Sequence, residues 1–109
     1  MDAPNTSDDT LRTLLIELAR SEERGPVNRV VLNGCRVLRY FADRSVVTRE
    51  DAGRWALEHG RPSDHDLIEG ALAWETGADK RPDIDNTAAY LFGARAEVIA
   101  KGGADPAGE

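Results

Sequence analysis

A single cysteine, Cys35, rules out an internal disulfide, so nothing in the composition calls for an oxidising compartment. No apolar run approaches the ~20 residues that a membrane-spanning helix needs. The opening "MDAPNTSDD" is acidic and polar, the reverse of a secretory leader, and the expected location is the cytoplasm. Aromatic side chains are scarce, two each of Phe, Tyr and Trp, so a packed interior must be built from Leu, Val, Ile and Ala. Positive charge is in the minority. Lys and Arg number 14 against 20 Asp and Glu, and the net charge of -6 argues against non-specific binding to nucleic acid or to an anionic membrane. No Gly-rich phosphate loop and no Ser/His/Asp set is present. What is left is a chain of 109 residues, 40 % apolar, which is enough for one domain and too short for two ordinary ones.

The positive content is helical punctuation. Leu11, Leu14, Leu15 and Leu18 recur at the spacing of one helical face, with Ser7 as the predicted cap and Gly25-Pro26 as the break. A second helix is predicted from about Asn28 to Asp43, with Val30, Val31, Gly34, Val37, Leu38 and Phe41 on its apolar side. "VVTREDAGRWALEH" carries Thr48 as cap, Asp51 three residues on, Glu50 at the positive end, Ala52, Trp55 and Ala56 inward, and Gly60 as a left-handed stop. "RPSDHDLIEGALAWETG" repeats the grammar, with Ser63 as cap, Asp66 at the third position and Leu67, Ile68, Ala71 and Trp74 as the seam. A last helix has Ile84, Ala88, Leu91, Phe92, Val98 and Ile99 at helical spacing and Gly102-Gly103 as terminator. The expected fold is an all-α, single-domain bundle of about five helices, antiparallel neighbours with short connections, over residues 7–101. Residues 1–6 and 102–109 read as loose tails.

Chemistry-bearing groups are few, and each has a plainer rival. Asp83 and Asp85 form a D-x-D pair of the kind that holds Mg²⁺ for nucleotidyl transfer, but no strand or Gly-Ser turn precedes them, and Asp85 suits a helix cap. His59, Asp64, His65 and Asp66 crowd in sequence, yet the Gly60-Arg61-Pro62 break separates His59 from the rest. Cys35 sits among apolar neighbours as a small core residue. Arg54 and His59 spell R-x4-H and resemble the active-site motif of the HEPN ribonucleases, which would make His59 a general base and Arg54 a support for the scissile phosphate. Trp55 stands where those proteins carry a polar residue. On the second helix Arg29, Asn33, Arg36 and Tyr40 fall at steps of four, three and four, a polar stripe that could receive phosphate or carboxylate groups or simply be solvated.

The span "VNRVVLNGCRVLRYFADRSVVTREDAGRWALEHGRPSDHDLIEGALAWETG" resembles the C-terminal helical domain of aminoglycoside 3''-adenylyltransferases, enzymes that adenylylate streptomycin and spectinomycin. The likeness rests on the long helix with its internal Arg and on the Thr-x-x-Asp-Ala-x-x-Trp-Ala block. It implies that Arg36 and Arg49 face nucleotide and that Glu22 faces substrate. Glu17 falls where the family has a drug-stacking Trp, Pro26 where it has a second acid, and Glu75 where it has a nucleotide-side Tyr. The family's catalytic nucleotidyltransferase half is absent, so no catalytic residue carries over. The resemblance therefore implies a non-catalytic binding or partner-docking module from a bacterial antibiotic-resistance setting. ATP and Mg²⁺ enter only with a catalytic partner. The expected partners are a nucleotidyltransferase-like protein in trans, a second copy or a small molecule, with no nucleic acid and no membrane. An in-trans half of an antibiotic adenylyltransferase is the enzymatic alternative.

Overall fold

The computed structural model describes residues 9–77, 79 and 82–102. Its elements are α1 (Asp9–Arg24), α2 (Val27–Asp43), α3 (Arg49–His59), a 3-10 turn (Pro62–Asp64), α4 (His65–Glu75) and α5 (Asn86–Gly102). There is no strand among the described residues, and no described helix is long and apolar enough to cross a membrane. The fold is the expected all-α bundle. Ser7 and the tails lie outside the described residues, apart from Gly102, which ends α5.

The helix α2 organises the rest, because it packs against each of the other four. One of its flanks, Val30 and Val37, joins Leu14 and Leu18 of α1 and Ala96 and Ala100 of α5. The other flank, Val31, Leu32 and Cys35, meets Ala52 and Ala56 of α3, Ile68 and Ala71 of α4, and Ala89 and Phe92 of α5. A helix buried on two flanks cannot keep a broad solvent face, and α2 buries even Asn28 and Asn33. Phe41, expected inward, is exposed near the end of α2, where the flanking helices no longer cover it.

Close approach decides how α5 sits on α2. A Cβ on Gly34 would lie 3.0 Å from the Phe92 ring, and one on Gly93 would lie 3.0 Å from Val30. The two backbones approach through these gaps, so the buried face of α5 is made of small residues: Ala89, Gly93, Ala96 and Ala100 around the one large Phe92. The expected face was wrong in part. Leu91 is 65 % exposed and Val98 is also outward, because their bulk does not fit the narrow seam that alanine and glycine fill.

The caps divide likewise. Thr48 Oγ accepts from the Asp51 N–H at 3.1 Å, and Asp85 Oδ1 accepts from the Ala88 N–H at 3.1 Å, as expected. Ser63 is not a cap, since Pro62 starts a 3-10 turn that carries Ser63 inside it. Gly60 is not left-handed: its φ of -88° is ordinary, and glycine is needed because a Cβ would stand 2.6 Å from the Ala56 carbonyl oxygen. Left-handed residues follow α2 and α4 instead: Arg44, φ 67°, whose N–H closes α2 on the Tyr40 carbonyl at 2.7 Å, and Gly77, φ 76°.

Because Phe92 is the one large side chain in that seam, Phe92→Ala is expected to cost about 3–5 kcal/mol in a urea titration. A loss below about 1 kcal/mol would show that the seam does not hold α5 to α2.

Candidate functional site

Two polar rails meet where α1 turns into α2. Glu17, Arg20, Ser21 and Arg24 succeed one another along α1 at helical spacing, and Arg29, Asn33 and Arg36 do so along α2. The link between the helices is only Gly25 and Pro26, which keeps the two rails side by side. With Arg49 from the first turn of α3 they line an open cleft of about 860 Å³. Five arginines against two glutamates, Glu17 and Glu23, form this lining in a chain whose overall charge is acidic.

Arg36 is held rigidly. Its Nε donates to the Val47 carbonyl at 2.9 Å and its Nη1 to Glu17 Oε1 at 2.6 Å, leaving the side chain 18 % exposed. Arg49 is fixed in a parallel way, its Nε and Nη2 donating to Glu75 Oε2 at 3.0 and 2.9 Å. Glu75 Oε1 accepts in turn from Asn28 Nδ2 at 3.2 Å. Each arginine that the resemblance turns towards nucleotide therefore faces the cleft with a carboxylate of the same chain already on it. Such charge-assisted bonds to partly buried guanidiniums are the stronger kind. Asn33, 5 % exposed, gives its Nδ2 to the Glu17 carbonyl at a long 3.5 Å, while its Oδ1 has no partner.

The remaining candidates fall elsewhere. Tyr40, the last member of the stripe, does not line the cleft; its ring packs with the α1–α2–α5 cluster under the Arg44 guanidinium, 5.3 Å away. Glu22 is also outside the cleft lining and turns to α5, where a Cβ on Gly93 would come within 3.0 Å of its carboxylate. Burial, then Glu97 and Glu23, push the Glu22 carboxyl above its ordinary range. Arg20 and Arg24 escaped the sequence reading. Their signal was present, because the stripe test applied to α2 finds Glu17, Arg20, Ser21 and Arg24 on α1.

Arg54 and His59 are not joined by any contact among the described residues. Arg54 pairs with Glu50, while His59 stacks on Trp55 with ring centroids 5.3 Å apart and its Nδ1 is 3.0 Å from the Trp55 carbonyl. Asp64 is committed to Arg95 at 2.6 Å. No group of three potential metal ligands forms among the described residues. Cys35 is fully buried, and burial pushes its thiol far above the ordinary range, which suits packing and not nucleophilic attack.

The family model described as aminoglycoside adenylyltransferase, C-terminal domain, matches residues 8–95. No match is found among curated proteins or among solved structures.

The raised pKa of Glu22 has a definite sign. The folded chain binds this proton more tightly than the unfolded chain does, so the ionised carboxylate destabilises the fold at neutral pH. Glu22→Gln is expected to melt at a higher temperature than the parent at pH 7. The gap should close as pH falls below about 4, where the carboxyl becomes protonated in both states. A lower melting temperature at pH 7 would mean that the carboxylate has a stabilising partner.

Proposed function

The chain belongs to the family of aminoglycoside adenylyltransferase C-terminal domains, matched over residues 8–95, and from that premise we propose that it is a non-catalytic binding module for the phosphate groups of a nucleotide. The observation that carries this reading is the arginine-lined cleft, with Arg36 and Arg49 both on its wall. Guanidiniums present paired N–H donors that match phosphate oxygens, and two of them on different helices can grip two phosphoryl groups.

The groups that the family implies fit unequally. The phosphates of ATP fit the donor set, since every hydrogen-bonding contact that Arg36 and Arg49 make is one of donation. Mg²⁺ does not fit this chain: the cleft is mostly cationic, and no three ligands converge among the described residues. The residues of this chain bind and orient; Arg36 and Arg49 neutralise phosphate charge, and the buried edge of the cleft excludes water from one side of the ligand.

Nucleotide must compete with Glu17 for Arg36 and with Glu75 for Arg49. Phosphate gains charge-assisted hydrogen bonds from the N–H groups each guanidinium still has free, worth about 1.5–3 kcal/mol apiece, against the repulsion of the carboxylate already in place. The affinity should accordingly be modest, micromolar to millimolar. Streptomycin is itself a guanidinium-bearing cation, and a lining of five arginines repels it. A catalytic domain supplied by another chain would complete an adenylyltransferase, and the open side of the cleft is where it would dock.

Calorimetric titration tests the reading. ATP is expected to bind saturably, and streptomycin and spectinomycin to give no heat. Arg49→Gln should weaken ATP about tenfold, the loss of one charge-assisted contact. Glu17→Gln should tighten ATP by about threefold or more, because Arg36 no longer carries a competing anion. Absence of ATP heat, or a Glu17→Gln variant that binds more weakly, would contradict it.

A further inference from the structure

Among the described residues, all lysines and arginines but three make an ion pair, a hydrogen bond or a ring contact within the chain. The three are Arg20, Arg24 and Arg29, and all of them line the same cleft. In a protein with a surplus of carboxylates this is a selective omission, because every other cationic side chain among those residues has found company. Arg24 has one local reason to be where it is, the negative end of α1. Arg20 has none, and Arg29 is placed against local preference: it stands in the first turn of α2, at the positive end of the helix dipole.

Nothing in the chain offsets that placement. The first turn of α2 holds no acidic residue, and its N-cap is Pro26, whose side chain makes no capping bond. The buried Asn33, one turn further along the same rail, lines the cleft with its Oδ1 unpartnered. Three free guanidiniums, an uncapped helix start and one unsatisfied buried polar atom thus converge on one corner.

We propose that this corner, between the end of α1 and the start of α2, is a binding site for a phosphate-bearing small molecule, held by Arg20, Arg24 and Arg29 together with the first turn of α2. A terminal phosphoryl group offers three oxygens and up to two charges, which three guanidiniums and a helix N-terminus can share; a single carboxylate offers two oxygens and one charge. The site is separate from the grip of Arg36 and Arg49, whose guanidiniums are already engaged by Glu17 and Glu75. It does not depend on the nucleotide reading: Arg49→Gln with ATP judges that reading, and the measurement below uses neither.

Inorganic pyrophosphate is the probe, titrated by calorimetry at low ionic strength into three proteins, with citrate as a carboxylate comparison. The unmodified chain should bind pyrophosphate saturably and more tightly than citrate. R20Q/R24Q/R29Q should lose at least about tenfold in affinity and melt within a few degrees of the parent, since the favourable helix-end charge of Arg24 and the unfavourable one of Arg29 offset each other. R12Q/R54Q/K101Q removes the same charge from exposed positions elsewhere and should stay within about twofold of the parent. The proposal is overturned if the unmodified chain does not bind pyrophosphate or binds citrate as tightly. It is equally overturned if the first triple variant binds like the parent, or if the second loses as much as the first.

Discussion

The guanidinium of Arg36 is where the fold and the cleft become one problem. It ties the segment between α2 and α3 to the bundle through the Val47 carbonyl, and it ties α1 to α2 through Glu17. Neither contact can be surrendered lightly, because a carbonyl and a carboxylate would each be left short of a donor in a partly buried place. The charge on the cleft wall is therefore fixed by what the bundle needs, on a side chain with little freedom to turn away. Binding surfaces gain from such fixity, since a donor that is already ordered loses less entropy when a ligand arrives.

Around that tie the bundle is built on a crowded central helix. With α2 flanked by every other helix, the apolar share of a short chain is enough, because few of its large aliphatic side chains on α2 are wasted on solvent. The same crowding forces the contacting face of α5 to be narrow. The cleft lies beside the link between α1 and α2, where the two-residue connection holds the polar rails of the two helices side by side.

Much of this was legible in the sequence. Helix starts were readable where a side chain performs the capping, as Thr48 and Asp85 do. Helix ends were misread where backbone geometry decides, at the start with Ser63 inside its 3-10 turn and at the stop with Gly60, whose need for glycine is a close carbonyl and not a left-handed angle. The face of α5 was misjudged because periodicity weighs Leu91 and Val98 above alanine, whereas a close helix crossing selects for smallness. At the site, the spacing of Arg29, Asn33 and Arg36 put them on one wall of the cleft, while Tyr40 of the same stripe fell outside it. The opposite wall, Arg20 and Arg24, was overlooked because α1 was read for its leucines and for single positions by resemblance, not for a polar stripe. Which carboxylate sits on which arginine is a long-range fact that no local pattern encodes: Glu17 is 19 residues from Arg36, and Glu75 is 26 from Arg49.

Those two carboxylates also mark how this chain stands within its family. Glu17 and Glu75 occupy positions where the resemblance places aromatic residues, and each rests on an arginine that the resemblance turns towards nucleotide. The cleft thus carries internal counter-ions, and any ligand must compete with them. The direct test of this central claim is to follow the arginine side-chain Nε–H signals by NMR while ATP is added. If the cleft is an anion-binding wall under internal competition, the signals of Arg36 and Arg49 move together and saturate, while that of Arg54 on the far side of α3 stays still. If Arg36 and Arg49 do not move, or move no more than Arg54 does, the guanidiniums are scaffold alone and the account fails.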